Sequence, residues 1–284
     1  MRKQRTIKKE VILSGIGVHT GNRTEMKFIP AEPNAGISFV RTDLPGSPAV
    51  KAHISKVVGF MRGTTIGEGD VKVHTVEHVM APLSSLGVTN VRIELDSNEP
   101  PVVDGSSVEF LAALRESGIV DQSEPAEVFE LKEPIYETEG DMILVALPYD
   151  GFKISYTLSF SHPKLKAQYL SLDINEQSFA KEIAPSRTFC FYREVEVLMN
   201  QGLIKGGSLD NAVVIGDDAV FSKEELRFHD EFVRHKILDL VGDTYLLGLP
   251  VKAHIIAAKS GHAFNLRLTK KLYEAYLKSQ SVHN

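Results

Sequence analysis

Apolar and polar residues alternate with a period of two through much of the first hundred residues, in segments bounded by Gly, Pro, Asn and Asp. Such spacing predicts short strands at TIKKEV (6–11), EMKFI (25–29), GISFV (36–40) and NVRIEL (90–95). Between 62 and 75, the runs RGTTIG and DVKVHT flank Glu68-Gly69 and predict a hairpin arm. The pattern then shifts to helical spacing from Val76 to Leu86, with Pro82 inside it. A proline beyond the first turn removes one helical hydrogen bond and bends the axis. A further helix is predicted in VVDGSSVEFLAALRESG (102–118), capped by Asp and Ser, burying Val108, Leu111 and Ala112 on one face and closing at Gly118.

The polar, acidic, Pro-containing stretch 121–127 interrupts this order, and strand patterns resume from Val128 to Phe160, with turns at 139–141 and 149–151. Two helices follow, His229 to Leu247 and Ala263 to Lys278, separated by the β-like VKAHIIAA from Val251. A length of 284 residues suits about two domains. The expectation is an α+β protein of two domains, each layering helices against a β-sheet: residues 1–124, with a hairpin insert near 57–74, and residues 125–284. No residue-level repeat is visible, so any duplication is one of structure alone.

Composition narrows the class. A net charge of −5 is a poor footprint for a nucleic-acid binder, so no nucleic-acid partner is expected. The single cysteine, Cys190, excludes an intrachain disulfide framework and a cysteine-built zinc finger, and points to a reducing cytoplasm. The basic N-terminus lacks a signal-peptide apolar core, and no apolar run is long enough for a membrane span.

Candidate chemistry begins in FHDEFVRHKILDLVGD, where His235, Asp239 and Asp243 recur every four residues and so share one stripe of a helix. A His and an Asp so spaced can chelate one metal, although the same spacing is more often a solvated face. Glu77 stands beside His78 where strand gives way to helix. That pair suits a zinc site in which the imidazole binds the ion and the carboxylate stays free as a base; taken alone, it is more often structural. HTVEH (74–78) also fits the H-x-x-E-H pattern of inverted zinc peptidases, but that motif needs both histidines on one helix. His74 ends a strand-like segment and is read as a non-ligand. His262 is placed in a Ser-Gly turn after a strand, a position for an exposed acid or for any surface histidine, and Thr188 in SRTFCF is a hydroxyl donor or an ordinary strand residue.

Together these fragments resemble one family, the UDP-3-O-acyl-N-acetylglucosamine deacetylases of lipid A biosynthesis. The likeness runs through GIGVHTG (15–21), TVEHVMA (75–81), VVDGS (102–106), SRTF (186–189), GGSLDNA (206–212), LRFHDEFVRHKILDLVGD (226–243) and KSGHA (259–263). The resemblance implies two α+β domains with the active site at their interface. It also implies zinc ligands at His78, His235 and Asp239, a general base at Glu77, a general acid or oxyanion partner at His262, an oxyanion donor at Thr188 and an orienting carboxylate at Asp243. Three ligands are the count of a catalytic rather than a structural site. Fe2+ suits His and Asp donors as well as Zn2+.

The implied substrate is a UDP-sugar carrying an acyl chain. Lys236 falls on the family's substrate-contacting lysine, and His19 and Asp104 match polar positions of its first domain. The chain from Phe189 through Gly207, within an insert near 189–216, is the implied acyl passage, with Phe191, Val195, Leu198, Met199, Leu203 and Ile204 as candidate lining. On periodicity alone these are ordinary helix core. Pro82 and Cys190 depart from the family pattern, which favours an alanine-like residue and a glycine there. The resemblance implies hydrolysis of the N-acetyl amide in the cytoplasm by a monomer.

Overall fold

The computed structural model describes residues 2–162, 165 and 167–281. Strands β1 (Lys3–Ile7), β2 (Val11–Ile16), β3 (Arg23–Pro30), β4 (Ile37–Arg41) and β5 (Ala49–Lys51) come first. A small sheet of β6 (Val57–Gly59), β7 (Thr65–Glu68) and β8 (Val71–Val73) leads into α1 (Glu77–Leu86), β9 (Val91–Leu95), α2 (Val108–Ser117) and β10 (Ile119–Pro125). The rest of the chain forms β11 (Phe129–Glu130), β12 (Ile135–Glu139), β13 (Met142–Leu147), β14 (Phe152–Leu158), β15 (Gln168–Asp173) and the single turn α3 (Glu176–Ser178). It continues through β16 (Phe189–Phe191), α4 (Tyr192–Asn200), β17 (Val213–Ile215), β18 (Val220–Phe221), α5 (Glu231–Tyr245), β19 (Val251–Ala258) and α6 (His262–Ser281).

The fold is α+β, and its two main sheets share one plan. The first has the order β2-β3-β9-β4-β5 and the second β12-β13-β19-β14-β15. In each, the strand that comes last in the chain takes the centre, antiparallel to one neighbour and parallel to the other. A helix then follows that central strand, α2 after β9 and α6 after β19. Alternation predicted this chemistry correctly: in β3 the residues Thr24, Met26 and Phe28 point inward while Arg23 and Glu25 are exposed. The expected strand 6–11 is instead split. Ile7 pairs with Ile119 of β10 and Val11 with Phe28 of β3, while the backbone N–H groups of Lys8 and Lys9 donate to Gly118 and Ser117 in the turn between.

What positions the site is the packing of α1 on α5. Every residue of α5 except Lys236 is buried, so its polar stripe is not a solvated face. The approach is close enough that a Cβ on Gly242 would lie 2.2 Å from the Glu77 carbonyl oxygen; any larger residue would push the start of α1 away. Pro82 lies inside α1 as expected. It has no N–H for the His78 carbonyl four residues back, and the Ser107 hydroxyl donates to that carbonyl at 2.8 Å instead. Ser107 precedes α2 without forming the side-chain cap expected of it, because its hydroxyl is turned to α1.

Candidate functional site

His78, in the first turn of α1, and His235 and Asp239, one turn apart on α5, bring one ligand atom each within 4.8 Å of one another. The imidazoles meet edge to face, with ring centroids 4.9 Å apart. Asp239 Oδ1 lies 3.7 Å from His78 Nε2 and 3.4 Å from His235 Nε2. It is buried without a hydrogen-bond partner, and a buried carboxylate oxygen without a donor needs a cation. The other nitrogen of His235, Nδ1, lies 3.1 Å from the Ser186 carbonyl oxygen, which leaves Nε2 as the free donor atom. Burial lowers His235 to about 3, keeping the ring neutral as a ligand requires. The donor set therefore fits a divalent cation.

A second group adjoins the first. Glu77, 1% exposed, accepts the Thr64 backbone N–H at 2.9 Å, and its Oε1 lies 3.9 Å from His262 Nε2. Burial raises the Glu77 carboxyl above its ordinary range, against the pull of His262 and His78. His262 is the first residue of α6 rather than part of a turn, so its backbone is fixed by a helix. Its Nδ1 lies 2.9 Å from Asp243 Oδ2, which also accepts Asn265 Nδ2 at 2.9 Å, while Thr64 Oγ1 donates to Asp243 Oδ1 at 2.6 Å. Burial disfavours the charged imidazolium, but Asp243 and Asp239 outweigh it and raise His262 to about 9. Lys236 Nζ lies 2.5 Å from Asp239 Oδ2. Burial opposes the Asp239 charge, but Lys236 and the charged His262 overcome it and hold the carboxyl well below its ordinary range.

Glu77, His78, His235, Lys236, Asp239 and His262 form part of the wall of a cavity of about 670 Å³. Thr188, Phe189, Phe191, Val195, Leu198, Gly207 and His19 line it, together with Ile204. Met199 and Leu203 do not: Met199 is 61% exposed, about a quarter-turn of α4 away from the inward stripe of Glu194, Val195 and Leu198. Asp104 also stays out of the cavity and accepts Arg227 Nη1 at 2.7 Å. His74 does not join the ligand cluster; its Nδ1 lies 3.0 Å from Thr65 Oγ1. Cys190 lines the cavity, and burial raises its thiol, so the reactive thiolate is disfavoured. Thr64 and Asn265 escaped the sequence reading, and Ser107 entered it only as a helix cap, since no spacing marks a hydroxyl or amide whose partner lies far along the chain.

Two facing imidazoles, an orphaned carboxylate, an adjacent buried carboxyl and a cationic imidazole at the head of an apolar cavity are the groups needed to hydrolyse an amide or ester. Comparison with known proteins specifies the class. The family model for LpxC, UDP-3-O-acyl N-acetylglycosamine deacetylase, matches residues 4–274. The chain is 46% identical over 276 residues to UDP-3-O-acyl-N-acetylglucosamine deacetylase of Chlamydia caviae, covering 96% of this chain and 98% of that one. Proteins of the same name from Thermodesulfovibrio yellowstonii and Bdellovibrio bacteriovorus are 44% and 43% identical, over 95% and 96% of this chain and 92% and 90% of theirs. The chain belongs to the UDP-3-O-acyl N-acetylglycosamine deacetylase family.

Proposed function

We propose that this protein is a zinc-dependent deacetylase that hydrolyses the N-acetyl amide of UDP-3-O-acyl-N-acetylglucosamine, a step of lipid A biosynthesis, releasing acetate and the free 2-amino sugar. The observation that carries this reading is Asp239 Oδ1, buried and unpartnered between two imidazole nitrogens, in a chain of this family. His78, His235 and Asp239 would hold the ion, Zn2+ or Fe2+. Such an ion supplies Lewis acidity toward the amide oxygen and acidifies water.

The chain's own residues carry the proton movements. Glu77 Oε1 accepts a proton from the attacking water as its oxygen adds to the acetyl carbon. Thr64 holds the other oxygen of Glu77 in place. Thr188, on the cavity wall, donates to the oxyanion that develops on the carbonyl. His262 enters the reaction protonated, stabilises that charge through Nε2 and gives its proton to the departing amine, while Asp243 keeps Nδ1 engaged. Lys236 lines the same cavity and contacts the substrate. The acyl chain lies along Phe189, Phe191, Val195, Leu198 and Gly207, with His19 on the sugar-nucleotide side. The chain is best divided at 124/125, with the cavity between the two parts and the segments 57–74 and 189–216 as inserts. In this reading the active unit is the monomer, and its site of action is the cytoplasm.

The test is a metal analysis paired with a deacetylation assay on UDP-linked 3-O-acylated N-acetylglucosamine. Wild-type protein is expected to hold about one zinc per chain, as one tetrahedral cradle predicts. Asp239→Ala should lose both the metal and turnover, the latter by about a thousandfold, since about 4 kcal/mol of Lewis-acid stabilisation corresponds to about three decades of rate. An Asp239→Ala protein that still turns over at the wild-type rate would overturn the reading.

A further inference from the structure

Thr75 immediately precedes the residues that start α1, and its φ is +54°. A β-branched residue takes this left-handed conformation only where its surroundings impose it. The Thr75 hydroxyl donates to Oε1 of Glu99, 1% exposed, at 2.7 Å, while the backbones on either side are held by His74 N–H on the Asn98 carbonyl at 2.9 Å and Val76 N–H on the Thr64 carbonyl at 3.2 Å. The same carboxylate grips a second segment: Oε1 accepts the His19 N–H at 3.1 Å, and Oε2 accepts the Thr20 N–H and the Thr20 hydroxyl, both at 2.8 Å. Gly17 leaves the carboxylate its space, since a Cβ there would lie 2.3 Å from Oε2. The loop so held carries part of the second half of the chain. Lys205 N–H donates to the His19 carbonyl at 3.2 Å, and Gly206 N–H to the Val18 carbonyl at 3.1 Å.

Glu99 thus ties together Thr75, His19 and, through the loop's carbonyls, the segment beside Ile204 and Gly207. All four of these residues line the cavity, whereas Glu99 does not. We propose that Glu99 is a positioning residue for the deacetylation: it clamps Thr75 in the left-handed conformation that sets the direction of Glu77 and His78, and it fixes the loop bearing His19. The proposal rests on the deacetylase reading above. It is more specific than a general need for a buried carboxylate, because it assigns the effect on Glu77 and His78 to one backbone conformation. Glycine adopts positive φ without steric cost. Replacing Thr75 by glycine should therefore make the clamp largely dispensable.

The experiment is a double-mutant cycle of Glu99→Ala and Thr75→Gly, with Glu99→Gln as a milder companion, read by turnover and by zinc retention against a competing chelator. Glu99→Ala should lower kcat by about a hundredfold, the effect expected of an ångström-scale misplacement, and should release zinc more readily. Adding Thr75→Gly should return at least about tenfold of kcat and part of the zinc retention, the size of coupling expected of residues in contact. If Glu99→Ala does not fold, the same recovery is sought on Glu99→Gln. No recovery in a folded double variant overturns the proposal. Wild-type protein without turnover would instead overturn the deacetylase reading, and the zinc-retention cycle would then decide the role of Glu99.

Discussion

Both oxygens of Asp243 are occupied, by Thr64 on one side and by His262 and Asn265 on the other. A ring held this way cannot turn its Nε2 away from Glu77 and Asp239. The pair Glu77 and His262 therefore sets the pH dependence of the proposed reaction. Turnover needs Glu77 ionised, so activity falls on the acid side as that carboxyl takes up its proton, above the ordinary carboxylate range because burial raises it. It needs His262 charged, so activity falls again as pH rises through the His262 value, about 9 in the free chain. A cation at Asp239 offsets part of that carboxylate's pull, which places the falling limb at or below that value. Measured kcat/KM should be bell-shaped, and Glu77→Gln should lose the acid limb together with about a hundred- to ten-thousandfold of rate. A profile that falls on neither the acid nor the alkaline side would contradict the assignment.

At this scale the sequence revealed groups that repeat along one helix or sit side by side. His235, Asp239 and Asp243 are four residues apart, and a helix puts such residues on one stripe whatever lies around it. Thr64 meets Asp243 across a separation of 179 residues, and no local pattern encodes a contact of that kind.

Among the elements, α1 shows how a local rule is broken and repaired. Pro82 leaves the His78 carbonyl without its helical partner, and the buried Ser107 hydroxyl supplies one. The proline was legible in the sequence. Its remedy was not, because Ser107 reads as a helix cap until the packing of α2 on α1 is known. The repair predicts a measurable coupling. Ser107→Ala should destabilise the protein by about 1–3 kcal/mol, the cost of an unsatisfied buried carbonyl. With Pro82→Ala, which restores an N–H at residue 82, the same Ser107→Ala change should cost at least about 1 kcal/mol less in denaturant unfolding. Strictly additive effects would show that the hydroxyl does not serve the proline gap. Strand 6–11 failed for a related reason: the polar run Lys8-Lys9-Glu10 interrupts it, and its two ends pair with different partners.

For the whole molecule, the α+β class and the order of strands before helices were legible from periodicity, whereas the shared strand order of the two sheets was not. Matching topology needs no matching residues, only inward apolar positions in the same sequence of elements. The small sheets β6-β7-β8 and β16-β17-β18 lie outside that plan, and an ion pair of 3.0 Å between Arg62 and Glu194, both lining the cavity, joins the segments beside them. If the apolar wall from α4 receives the acyl chain, its shape must discriminate by chain length. Val195→Trp should then depress kcat/KM for a long-chain substrate at least about tenfold more than for a short-chain analogue, as overfilling a packed wall by 1–3 kcal/mol would do. Equal losses on both substrates would remove α4 from the acyl path.

The cluster of His78, His235 and Asp239 takes its members from α1 and from α5, so it straddles the seam where Gly242 meets Glu77. Neither half owns a complete set of donors. An ion captured there would act as a rivet between the two layers, and loosening the seam anywhere along those helices would weaken its grip. Affinity for the cation and the fit of one sheet layer to the other are thus a single quantity, seen from two sides.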